Sequence, residues 1–139
     1  MCLIKVYPTQ KEVDFNEGYK LFYRVEPCKD HTHSIAFKYY GMKKFPYGTL
    51  PKRRWLYAEV PNMSPLRDSN GEPYRTGFHI WESLEDAKVN AIPHSALSVA
   101  IHRVLFKNVV AVGRQNITNK GLTVVARKMY VMEEVKYYD

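Results

Sequence analysis

Cysteine is scarce: Cys2 and Cys28 are the only two in 139 residues. Two thiols cannot build a disulfide framework or a four-thiolate zinc site. Long apolar runs are missing too. No stretch approaches the ~18–20 residues a helix needs to cross a bilayer, so no membrane partner is expected. The start, Met1-Cys2-Leu3-Ile4-Lys5, has no basic region followed by a long apolar one. A secretory leader is therefore not expected, and a cytoplasmic location is. There is no internal repeat, no low-complexity tract and no regular alternation of strand and helix patterns. The missing alternation argues against a doubly wound parallel sheet.

What is present is a globular balance, with 45% apolar and 25% charged residues. The length suits one domain over 1–139, large enough to bury a core without metals or disulfides. The formal net charge is +7, and it is unevenly spread. Residues 31–60 carry six basic and one acidic residue, and residues 91–139 carry seven and three. Between them, residues 61–90 carry three basic and five acidic residues. Two basic blocks thus flank an acidic middle. Such a charge attracts an acidic partner, whether nucleic acid, nucleotide or acidic protein, and also favours plain solubility.

Eleven tyrosines and many β-branched residues favour strands. Tyr19 to Val25 and Ile35 to Tyr39 alternate at strand spacing. Trp55 to Val60, Tyr74 to Trp81, Leu97 to Phe106, Val109 to Gln115 and Leu122 to Val135 also read as strands. Lys107-Asn108 separates two of them, and Asn116 to Gly121 reads as a hairpin loop. Residues 61–73 hold three prolines and the Asn70-Gly71 turn pair, so they read as a flexible loop. Ser83 offers an N-cap, with Asp86 three residues on, and Leu84, Ala87 and Ala91 share one helical face. The expected fold is α+β: mainly antiparallel β-sheet or a half-open barrel, with one short helix near 83–91.

Several groups of residues carry possible chemistry. Lys52-Arg53-Arg54-Trp55, with Tyr57 nearby and Lys43-Lys44 upstream, is the densest basic and aromatic cluster. Guanidinium forks hold phosphate oxygens, and flat rings stack on bases. The plain alternative is an edge strand whose charges block aggregation. Arg75, His79 and Trp81 share a strand face with Gly77, which would leave a gap beside His79 for a ligand, while Phe78 and Ile80 face a core. The plain alternative there is a bulge and a structural histidine. Arg114, Lys120, Arg127 and Lys128 bracket the last hairpin, where Arg114 and Arg127 would meet in a phosphate-binding patch. Cys28, Asp30, His31 and His33 lie close enough to suggest metal ligands, but a polar loop explains them more simply, so no metal and no cofactor is expected. Cys2 would be an N-terminal nucleophile if Met1 were removed, and a small apolar residue otherwise.

The string from Tyr74 to Ala87 also resembles a set of small bacteriophage and bacterial proteins that have no assigned activity. They share a GFH strand, an EDA helix and a VVAVG strand, here Gly77-Phe78-His79, Glu85-Asp86-Ala87 and Val109 to Gly113. The Met-Cys-Leu start and the Val124 to Met129 segment resemble them too. The resemblance implies phage or mobile-element origin and action inside a host cell, and it implies no catalytic residues. A fainter resemblance, to one segment of ADP-ribosyltransferase folds, implies a late catalytic glutamate, for which Glu133 and Glu134 are the candidates. The expected function is a phage-type accessory binding protein, such as an anti-CRISPR-like host-defence antagonist or a nucleotide sponge. The alternatives are a small nucleotide-handling enzyme and a minor virion structural protein.

Overall fold

A computed structural model of the protein describes residues 3–7, 13–23, 33–34, 44–45, 53–58, 66–75, 77–91, 99–115 and 120–136. In chain order the strands are β1 (Lys5–Val6), β2 (Glu17–Tyr23), β3 (His33–Ser34), β4 (Lys44–Phe45), β5 (Trp55–Tyr57), β6 (Leu66–Arg67), β7 (Pro73–Tyr74) and β8 (Phe78–Trp81). The helix α1 (Leu84–Ala91) follows, then the long strands β9 (Val99–Arg114) and β10 (Thr123–Val135). The strands Ile35–Tyr39 and 59–60 expected from the sequence lie outside the described residues.

β9 and β10 form a long antiparallel hairpin that organises everything else. β2 pairs with the first half of β9, and β8 with the first half of β10. A single bridge, Tyr19 opposite Trp81, joins β2 to β8. The sequence β9-β2-β8-β10 thereby returns to β9 and partly closes a ring, with β1 and β5 added at its margins. This is the antiparallel α+β architecture with a half-open barrel that the strand-rich pattern implies.

Ring closure needs the hairpin to bend, and two local features bend it. Asn108 has a φ of 59° in the middle of β9. The register with β10 also slips by one residue between Val125 and Ala126, the mark of a bulge. Lys107-Asn108 is therefore a bend inside one 16-residue strand, not a break between two. Asparagine tolerates the left-handed region well, so the ladder continues through it. Closure also needs β2 to cross β8 closely. Gly18 permits this: a Cβ there would sit 2.5 Å from the Trp81 carbonyl oxygen.

The main core lies inside the ring, where Phe22, Phe78, Ile80, Val104, Phe106, Val112, Val124, Met129 and Val131 meet. Phe78 and Ile80 thus face the core as their alternation implies. A second cluster joins Leu21, Trp81 and Ile101 to Ala87 and Ala91 of the helix. The helical face read from the sequence is the one that packs. Asp86, however, closes no capping box. Its carboxylate accepts the backbone N–H groups of Lys120 and Gly121, both at 2.9 Å, and so fastens the tip of the β9–β10 hairpin to the helix.

The described part of the proline-rich segment 61–73 is a built hairpin instead of an irregular loop. Leu66 pairs with Tyr74 and Arg67 with Pro73. Gly71 takes a φ of 82°, as the Asn-Gly turn requires. Asp68 holds the turn by accepting N–H bonds from Asn70 and Glu72, and it ties the hairpin to β1 by accepting one from Val6. The Val6 bond first, with the other two N–H groups, draws its pKa below the usual carboxylate value against a smaller opposing effect of burial. Tyr74 to Trp81 is accordingly two strands with different partners.

Candidate functional site

Three strands bring the two basic blocks of the sequence together. In the β5–β10 ladder Leu56 lies opposite Met129, and in the β9–β10 ladder Met129 lies opposite Phe106. All three are in the main core. Strand alternation then turns their neighbours outward. Trp55 lies opposite Tyr130, and Tyr57 opposite Lys128, which in turn faces Lys107 across the other ladder. The outer face of β5–β10–β9 is therefore a patch of three aromatic rings and two lysines.

The contacts within it are close. Trp55 and Tyr130 have ring centroids 5.5 Å apart at 59°. The Lys107 ammonium sits 4.3 Å from the Trp55 ring centre, and the Lys128 ammonium 5.3 Å from that of Tyr57. Tyr57 is 57% exposed, a large ring offered to solvent. Exposed Arg53 and Arg54 lead into β5. Arg53 holds a φ of 59° while its N–H donates to the Val131 carbonyl at 3.1 Å.

These cations differ from Arg103 on the same sheet. Arg103 is bridged by Glu17 at 2.9 Å and Glu133 at 2.8 Å, and its pKa is raised by the Glu17 hydrogen bond and by both acidic charges. Arg53, Arg54, Lys107 and Lys128 form no ion pair with any described residue. Among the described residues Lys107 and Lys128 are engaged by aromatic rings and not by carboxylates.

The other expected site residues fall elsewhere. His79 and Trp81 are buried, 3% and 2% exposed. The gap expected beside Gly77 is filled: a Cβ there would lie 2.5 Å from the Ala126 carbonyl oxygen, so β10 occupies the space. His79 Nδ1 lies 3.2 Å from the Gly77 carbonyl and must donate to it, which leaves Nε2 to accept from the Tyr74 hydroxyl at 3.3 Å. That hydroxyl in turn accepts the Leu3 N–H. Burial, aided by the nearby Lys20 charge, lowers the His79 pKa to about 3, so the ring is neutral and structural. Arg75 is exposed beyond β7, on the segment that pairs with β6 and not with β5.

Arg114 and Arg127 do not meet. Gly113 lies opposite Thr123 while Lys107 lies opposite Lys128. Arg127 falls opposite Asn108, so at ~3.3 Å per residue the two arginines are roughly 17–20 Å apart along the hairpin. Lys128 and Arg127 belong to the patch end, and Arg114 to the tip. Glu133, a candidate late acid, is engaged with Arg103, and Glu134 lies opposite His102. Neither is brought to the buried His79. Cys2, Cys28, Asp30, His31, Lys43 and Lys52 lie outside the described residues, as do the side chains of His33 and Lys44.

Reasoning from sequence missed Lys107 and Tyr130. The alternation of Lys128, Met129 and Tyr130 held the signal for Tyr130. Lys107 was hidden because Lys107-Asn108 reads as a turn. Compared with protein-family models, curated proteins and solved structures, the chain matches none of them.

Proposed function

We propose that the protein is a phage-type accessory binding protein that acts by occupying single-stranded nucleic acid, without turning over a substrate. The observation that carries this reading is the outer face of β5–β10–β9. There Tyr57, Trp55 and Tyr130 stand beside Lys107 and Lys128, with Arg53 and Arg54 at the margin and no acidic partner for these cations among the described residues. Single strands expose base faces that stack on aromatic rings, and their phosphates are held by unpaired cations. A duplex hides those faces. The resemblance of Tyr74 to Ala87 and Val109 to Gly113 to phage proteins is the ground for proposing the setting, antagonism of a host defence that depends on nucleic acid.

Fluorescence anisotropy with a labelled oligothymidylate and a duplex of equal length tests the reading. The single strand is expected to bind more tightly. Stacking on an aromatic side chain contributes ~1–3 kcal/mol per base, so Tyr57→Ala should weaken it by roughly tenfold. Equal binding of both forms, or no effect of Tyr57→Ala, would remove the proposal.

A further inference from the structure

A second concave site lies at the other end of the β9–β10 hairpin. It is a cleft of about 420 Å³ lined by Tyr7, Asp14, Phe15, Glu82, Arg114 and Lys120, with Gly121 and Leu122 at its floor. Small-ligand sites commonly fall within ~300–1,000 Å³. Its frame is held on every side. Tyr7 donates its N–H to the Val112 carbonyl at 2.9 Å. Phe15 packs edge-on to Phe106, with centroids 5.6 Å apart at 83°. The hairpin tip is fixed by Asp86 through the Lys120 and Gly121 N–H groups, and Glu82 accepts the Leu122 N–H at 3.0 Å.

The chemistry of the lining is specific. Among the described residues the buried Arg114 Nε has no hydrogen-bond partner; Trp81 Nε1, Arg127 Nε and the Thr123 hydroxyl share that condition, but only Arg114 lines the cleft. A buried, unpartnered guanidinium N–H is costly, and an ordered water, an ion or a ligand group satisfies it. Guanidinium groups favour phosphate and carboxylate. Tyr7 and Phe15, each partly buried against the main core, line the cleft with aromatic carbon, the Tyr7 ring also carrying the Lys5 ammonium at 5.9 Å, and the Asp14 and Glu82 carboxylates accept from neutral hydroxyl or amino donors. Arg114 and Lys120 balance Asp14 and Glu82, so the lining has no net charge. The two cations match the charge of one phosphate dianion and not that of a chain of three.

We propose that this cleft is a nucleoside monophosphate site, in which Arg114 and Lys120 hold the phosphate, Tyr7 and Phe15 flank the base, and Asp14 and Glu82 take hydroxyl donors. It does not depend on the strand-binding face, because it shares no residue with it. The two sites are separable by mutation.

Isothermal titration with adenosine 5′-monophosphate, adenosine and inorganic phosphate tests it, together with amide NMR spectra. The monophosphate is expected to bind at least tenfold more tightly than either fragment and to shift the Phe15 and Gly121 amides. Arg114→Gln and, as a variant at the exposed tip, Lys120→Gln should each weaken it by roughly tenfold. Tyr57→Ala should leave it unchanged while reducing oligonucleotide binding. No binding at millimolar monophosphate, or binding untouched by both Arg114→Gln and Lys120→Gln, would overturn the assignment. Loss of monophosphate binding in Tyr57→Ala would transfer it to the strand-binding face and overturn it equally.

Discussion

Lys20 sits on β2 with the inward parity of Phe22 and is fully buried, its Nζ donating to the His79 carbonyl at 2.9 Å. Burial pulls its pKa down from 10.5 to about 7. The unfolded chain then binds more protons than the folded one between about pH 7 and 10.5, so this group makes stability rise with pH across that window. The gain is lost as pH falls through the folded value. His79 works in the same direction lower down. Its depressed pKa of about 3 means that acidification from pH 6.5 favours the unfolded chain. Unfolding free energies from urea titrations at pH 7 and pH 9 should therefore increase with pH in the native protein by up to ~1.4 kcal/mol per unit, and should be nearly flat in Lys20→Met. A native curve that stays flat would contradict the burial of a titrating lysine. None of this was legible in the sequence. Lys20 reads there as the polar half of an alternating strand, because alternation cannot show that β2 is covered on both faces.

At the scale of elements, the helix was the most readable part. Ser83, the spacing of Leu84, Ala87 and Ala91, and Pro93 beyond fixed its place, since those signals are local. The strands were legible as apolar runs, but their joins were not. Whether Lys107-Asn108 ends a strand or bends one depends on β10 lying alongside, which no local signal reports. The split of Tyr74 to Trp81 has the same cause, because β7 and β8 are claimed by different partners. The entry to β5 carries a clearer lesson. Arg53 occupies the left-handed region, where a residue with a Cβ pays about 1–2 kcal/mol and glycine does not. On the proposed function, the cation at this position serves binding at the cost of some backbone strain. Arg53→Gly should leave the thermal midpoint unchanged or slightly raised, while weakening oligonucleotide binding severalfold at low salt. Scanning calorimetry beside an anisotropy titration checks both halves. A destabilised variant with full affinity would make Arg53 structural.

For the whole molecule, the antiparallel pairing of β5 with β10 and of β10 with β9 converts a charge pattern into a surface. Arg53 and Arg54 come from the basic block at 31–60, and Lys107 and Lys128 from the block at 91–139. The acidic middle lies between them in sequence, and its carboxylates are used elsewhere, Asp68 on β1 and Asp86 on the hairpin tip. The candidate site was half legible for this reason. The cluster at 53–57 is contiguous in sequence, whereas its other half reaches it only through antiparallel pairing. Trp55 also supplies a probe, because the other tryptophan, Trp81, is only 2% exposed. The most direct measurement is a titration of tryptophan fluorescence with oligothymidylate across a salt series, in the native protein and in Trp55→Leu. Stacking should quench the native signal, and the logarithm of the affinity should fall with that of salt at about 0.7 per phosphate neutralised, giving a slope near −2 to −3 for three or four cations. Trp55→Leu should lose the quench and bind roughly tenfold more weakly. Absence of quenching, salt-independent binding, or full affinity in Trp55→Leu would contradict the assignment of this face to nucleic acid.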